Sequence, residues 1–82
     1  MKVLVNVRVP AVSIQYDIFI PDSLQVQAAA ALIASAAEEL SSNVYVPSGV
    51  ECLCSIEKNM RLRPNATIQS CGIKNGEHLI LL

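Results

Sequence analysis

The sequence predicts an α+β fold, a mixed sheet of four to five strands curled over one main helix. Three observations predict it. Two alternating stretches lie close together at the start, one alanine-rich stretch of helical period follows, and short strand signals separated by turns run to a Leu-rich end. At 82 residues the chain has room for one domain and one core.

Residues 3–9, Val-Leu-Val-Asn-Val-Arg-Val, place Val3, Val5, Val7 and Val9 on one face. Residues 14–20, Ile-Gln-Tyr-Asp-Ile-Phe-Ile, place Ile14, Tyr16, Ile18 and Ile20 on one face. Period-2 alternation of β-branched residues marks half-buried strands. The connection Pro10–Ser13 is short, so the pair reads as a hairpin. A one-residue slip would turn one apolar face to water, which sets Val9 opposite Ile14, Val5 opposite Ile18 and Leu4 opposite Phe19.

Pro21 and Asp22 end the second strand. From Gln25 to Leu40 the apolar positions Val26, Ala29, Ala30, Ile33, Ala37 and Leu40 recur at helical spacing. The alanines combine high helix propensity with a thin surface that sits close to a sheet. Pro47, Ser48 and Gly49 mark a turn-rich connection. A third strand is predicted over 51–56, with Cys52, Cys54 and Ile56 inward and Glu51, Leu53 and Ser55 outward. Met60–Arg63 reads as a short strand and Thr67–Ser70 as a single helical turn. Asn75-Gly76 is a tight-turn signal. Glu77–Leu82 is the last strand, with Leu79 and Leu81 on one face and His78, Ile80 and Leu82 on the other. A hairpin, a crossover helix and further strands in this order make a β-grasp sheet.

Composition narrows the function. Six Lys+Arg against seven Asp+Glu leave a net charge of −1, without the basic surplus that a nucleic-acid binder or an anionic membrane surface requires. The first residues lack the continuous apolar run of a signal peptide. The alanine-rich window is too short to span a bilayer, so direct membrane insertion is not expected. Three cysteines, an odd number, agree with a reducing compartment. The expected location is the cytoplasm.

The segment Leu62-Arg-Pro-Asn-Ala-Thr-Ile-Gln-Ser-Cys-Gly-Ile-Lys-Asn-Gly-Glu-His-Leu-Ile-Leu-Leu82 resembles the C-terminal half of ubiquitin-like proteins. Within it, Cys71-Gly72-Ile73-Lys74-Asn75-Gly76-Glu77-His78-Leu79 resembles the YukD/EsaB family, small ubiquitin-like proteins encoded with the type VII (WXG100) secretion systems of Gram-positive bacteria. The hairpin and helix agree with that family in length and order. The resemblance implies a single ubiquitin-like domain over residues 1–82, acting as a cytosolic accessory or regulatory component of secretion. Its expected partner is a protein, a cytosolic domain of the secretion machinery, with a homodimer as an alternative. Conjugated ubiquitins and sulfur carriers require a Gly-Gly tail, and Gly49, Gly72 and Gly76 all precede the last strand. A non-conjugated protein is therefore expected. The alternatives are a modifier or sulfur carrier whose Gly-Gly tail follows Leu82, and an N-terminal ubiquitin-like domain of a larger protein.

Four residues could in principle ligate zinc: Cys52, Cys54, Cys71 and His78. Cys-x-Cys is an unusual ligand spacing, and the predicted phase turns Cys52 and Cys54 into the core, where small apolar side chains belong. Cys71 has no orienting base and carboxylate at a suggestive spacing. No cofactor, metal or catalytic residue is assigned, and enzymatic activity is not expected. Lys58, Arg61 and Arg63 form the one basic cluster. They read as a charged edge that discourages strand pairing, with docking of an acidic partner as the alternative. The candidate protein-binding residues are Leu4, Phe19, Leu53, Ile80 and Leu82. In the strand order of ubiquitin-like proteins, the first and third strands flank the last. These five residues would then form one apolar patch on the open face of the sheet, and such a patch marks a partner site.

Overall fold

The computed structural model describes residues 1–82. Strand β1, Lys2–Val9, and strand β2, Ile14–Pro21, are joined by a 3₁₀ turn over Pro10–Val12. Helix α1 spans Val26–Leu40, and the strands β3, Leu53–Ser55, β4, Met60–Arg61, and β5, Glu77–Leu81, follow. The sheet order is β2-β1-β5-β3-β4, with β1 and β5 parallel and every other pair antiparallel. This is the β-grasp arrangement.

The hairpin has the register that its two apolar faces require: Val9 opposite Ile14, Val5 opposite Ile18 and Leu4 opposite Phe19. Ser13, at φ 54°, closes the turn and donates its N–H to Pro10 O at 3.2 Å. The helix starts without a side-chain cap. Its first free N–H groups go instead to the loop before β5, Val26 to Ala66 O at 2.7 Å and Gln27 to Pro64 O at 3.0 Å. Two segments far apart in sequence thus satisfy groups that an isolated helix leaves to water. At the other end Ser42 and Asn43 take positive φ, and Asn43 N–H closes on Glu38 O at 2.8 Å.

Val5, Val7, Val9 and Ile20 of the hairpin, Ile33 with the helix alanines 29, 30, 34 and 37, and Leu53, Leu79 and Leu81 form the core. Leu62, Ile68 and Ile73 from the connecting segments close it. Tyr16 Oη donates to Ile33 O at 2.8 Å, tying β2 to the middle of the helix. Burial, assisted by Tyr45, pushes the Tyr16 hydroxyl up to about 12, so it remains a donor.

Three sequence expectations are corrected. Leu53 and Ser55 point inward and Cys54 outward, the opposite of the expected third-strand phase. Leu53 pairs with Leu81 and Ser55 with Leu79. Directly paired residues share a face, so the inward leucines of β5 carry Leu53 and Ser55 inward with them. Leu40 lies on the same helical face as Ile33 but is 60% exposed, because burial of that face ends at Ala37, the last core residue of the helix. Residues 67–70 form a turn and no helix, with Thr67 Oγ1 accepting Ser70 N–H at 3.0 Å.

Candidate protein-binding face

The helix covers one side of the sheet and leaves the other open. On the open side the paired positions fall into rows. Leu4 and Phe19 form the first. Its end is held by the turn before β5: Asn75 Oδ1 accepts Leu4 N–H, and Gly76 N–H donates to Leu4 O, both at 2.8 Å. Gly76 reaches this position at φ +86°, a conformation glycine adopts without strain.

The second row is polar. Asp17, Asn6 and His78 lie side by side. Asn6 Nδ2 donates to Asp17 Oδ1 at 2.9 Å, and Gln15 Nε2 donates to Asn6 Oδ1 at 2.6 Å. Beyond His78, Glu57 accepts both the His78 backbone N–H and its ring Nδ1–H. Those two bonds, the ring's first, hold the Glu57 carboxyl down to about 2.

The third row runs Gln15, Arg8, Ile80, Cys54, Arg61. Past it, Leu82 and Cys52 exchange backbone hydrogen bonds of 2.9 and 2.8 Å. Leu82 and Phe19 are both more than half exposed, while Leu4 and Ile80 are partly covered.

The structure therefore brings the five predicted residues together only in part. Leu53 is fully buried on the opposite face and takes no part in the open one. Leu4 and Phe19 form one apolar end, and Ile80 and Leu82, joined by Cys54, form another. The parallel register of β1 and β5 sets Ile80 beside Arg8 and not beside Leu4. Four residues of strand, about 13 Å, and the Asp17-Asn6-His78 row separate the two ends. The face offers two apolar contacts with a hydrogen-bonding strip between them.

The other predicted residues are also placed. Cys71 packs partly buried against the core, and it lines a hollow of about 340 Å³ with Met60, Leu62 and Arg63. Cys52, Cys54 and Cys71 are free thiols, and no three His, Cys, Asp or Glu side chains gather at metal-binding distance. Arg61 and Arg63 are exposed. Lys58 does not belong with them, because its ammonium is 2.8 Å from Glu77 Oε2 and also donates to Gly72 O at 3.1 Å.

That ion pair belongs to a buried polar cluster that sequence reasoning missed. Glu77 Oε2 also accepts Ser55 Oγ–H at 2.6 Å, and Oε1 accepts Lys74 N–H at 3.1 Å. Burial works to raise the Glu77 carboxyl, and Lys58, Ser55 and Lys74 together outweigh it and hold it below the ordinary range. The signal was present in the alternation, since Glu77 is in phase with the inward Leu79 and Leu81. Glu51 is a second missed residue. Its carboxylate accepts Tyr45 Oη–H, Ser48 N–H and Gly49 N–H at 2.9, 2.6 and 3.1 Å, folding the loop that leaves Val44, Val46 and Val50 exposed.

No helix is long and apolar enough to cross a membrane. No family model and no curated protein matches the sequence. Solved structures do resemble it. The ubiquitin-like domain of the Mycobacterium tuberculosis type VII secretion protein ECCD1 superposes at TM-score 0.78 and 12% identity, over 100% of this chain and 98% of that one. Caldiarchaeum subterraneum ubiquitin does so at TM-score 0.74 and 16% identity, over 99% and 91%. A chain of the toluene 4-monooxygenase HD complex with 4-bromobenzoate does so at TM-score 0.82 and 12% identity, over 99% and 96%. The fold is the ubiquitin-like β-grasp. Proteins of such different kinds share it that the likeness carries the fold and not an activity.

Proposed function

We propose that this is a non-enzymatic ubiquitin-like protein of the YukD/EsaB kind, acting by noncovalent protein binding as a cytosolic component of a type VII (WXG100) secretion system. The observation that carries this reading is the segment Cys71–Leu79 and its place in the fold. Its Ile73 is buried in the core, its Asn75-Gly76 turn clasps β1 at Leu4, and its Glu77 anchors Lys58 and Ser55. The motif that resembles the secretion family is thus the joint on which the sheet closes. The ubiquitin-like domain of ECCD1, from a type VII secretion system, has the same fold over its whole length and supports the reading.

The binding surface is the open face, with Ile80, Leu82 and Cys54 as one contact and Leu4 and Phe19 as the other. A cytosolic domain of the secretion machinery is the partner. Deleting the gene in its own host should sharply reduce the WXG100 proteins released into the medium. The wild-type gene should restore them, and an Ile80→Asp copy should not. Unchanged secretion on deletion refutes the reading. A reading frame that continues past Leu82 into a Gly-Gly tail would move the protein to the conjugated class.

A further inference from the structure

The two edges of the sheet differ. β4 is two residues long and carries Arg61, the short charged form in which sheets close an edge. β2, at the other edge, is eight residues long. Asp22 N–H donates to Met1 O at 2.8 Å, which continues the antiparallel β1–β2 register by one pair. Antiparallel alternation then turns the N–H and C=O groups of Ile14, Tyr16, Ile18 and Ile20 towards β1, and those of Gln15, Asp17 and Phe19 away from it. Leu4 agrees, since its N–H and C=O both face the β5 side.

Gln15, Asp17 and Phe19 therefore line the free edge with an unpaired N–H and C=O each. Ser13 in its left-handed turn bounds this stretch on one side and Pro21, which has no N–H, on the other. The inward side chains along the edge, Ile14, Tyr16 and Ile18, are only half-buried against the core. Asp17 is exposed, and no cation of the chain pairs with it.

We propose that the β2 edge receives an extended segment of another protein as a sixth, antiparallel strand, with branched apolar residues facing inward and a Lys or Arg opposite Asp17. Main-chain hydrogen bonds to Gln15, Asp17 and Phe19 hold the segment. Its apolar side chains finish the cover over Ile14 and Ile18. Its cation meets the one charge on the edge. A second copy of this chain does not fit. Pairing β2 with β2 about the centre of the open stretch sets Asp17 directly against Asp17, an unfavourable like-charge pair. A shift of two residues sets Asp17 against Phe19 or Gln15 and shortens the ladder. The surface is separate from the Ile80–Leu82 contact of the open face.

The probe is an acetylated, amidated Val-Thr-Val-Lys-Val-Thr-Val peptide, compared with its twin carrying Glu at the centre, titrated into isotope-labelled protein. At saturation the amide hydrogens of Gln15, Asp17 and Phe19 should exchange about tenfold more slowly, and those of Tyr16 and Ile18 should not change. The Lys peptide should bind about fivefold more tightly than the Glu peptide, and Asp17→Lys should reverse that order. Asp17→Pro removes an outward N–H and no ladder bond, so it should abolish binding and leave the circular dichroism spectrum intact. If Asp17→Pro fails to fold, Asp17→Lys alone decides. Ile80→Asp should bind the peptide as the wild type does, which separates this edge from the open face. No perturbation at millimolar peptide, equal affinity for both peptides, or protection elsewhere on the sheet would overturn the proposal. So would a concentration-dependent dimer that Asp17→Pro dissolves, since it would assign the edge to a second copy.

Discussion

Replacing Glu77 should be costly, and the cost should depend on pH in a defined direction. The Glu77 side chain is 5% exposed, and its carboxylate accepts bonds from Ser55, Lys58 and Lys74. Glu77→Ala leaves the buried Ser55 hydroxyl without its acceptor, and one orphaned buried group costs about 1–3 kcal/mol. Lys58 loses its anion, but its side chain is 31% exposed and keeps Gly72 O, so water discounts that loss. The sum is about 2–4 kcal/mol, against a total of roughly 4–12 kcal/mol for a chain of this size. Glu77→Gln keeps the shape and one acceptor but turns an amide NH2 towards donors, so about 1–2 kcal/mol is expected. Because the folded carboxyl is held below its ordinary value, its contribution is complete above the unfolded pKa of about 4.3. It is lost as pH falls through the folded pKa. Urea unfolding followed by circular dichroism should show the gap between wild type and Glu77→Gln narrowing as pH falls from neutrality into that acid range. Glu57 and Glu51 are also held low and remain in both proteins, so the difference isolates Glu77. A Glu77→Gln protein within about 0.5 kcal/mol of wild type at neutral pH, with a parallel acid profile, would refute the assignment of a stabilising cluster.

Ile33 is fully buried at the centre of the helix, and Ile33→Ala should cost about 2–5 kcal/mol in the same urea assay. Leu53→Asp should abolish cooperative unfolding, because it buries a charge opposite Leu81. Cys54→Asp, one residue on and on the open face, should leave a cooperative transition, and the reverse order would restore the sequence-predicted phase of the third strand. Elemental analysis of purified protein should find no stoichiometric zinc, and a chelator should leave the Tm unchanged. A one-to-one zinc content lost in Cys52→Ser would overturn that.

The sequence by itself determined the features whose signal is local. The β1–β2 register was legible because the connection is short and each strand has one strongly apolar face, so a slip would expose one of them. The helix and its Ile33 face were legible because the alanine stretch repeats at helical spacing for four turns. The order of elements then implied the β-grasp, and the Ile73-to-Leu79 pattern marked the joint before β5.

What only the tertiary structure decided is non-local. Cys52-Leu53-Cys54-Ser55 alternates between residues of similar apolarity, so the phase of β3 came from its pairing with Leu79 and Leu81. The parallel register of β1 and β5 is set across the crossover helix and by the Asn75-Gly76 clasp on Leu4. No residue pattern within either strand encodes it, and it is what placed Ile80 beside Arg8 and split the expected patch in two. Glu77 took Ser55 and Lys58 from the end of β3 and the turn after it, about twenty residues away, and only Lys74 N–H from its own turn. Local periodicity tells a side chain which way to face relative to its neighbours in sequence, but which strand it then lies against is a property of the closed sheet.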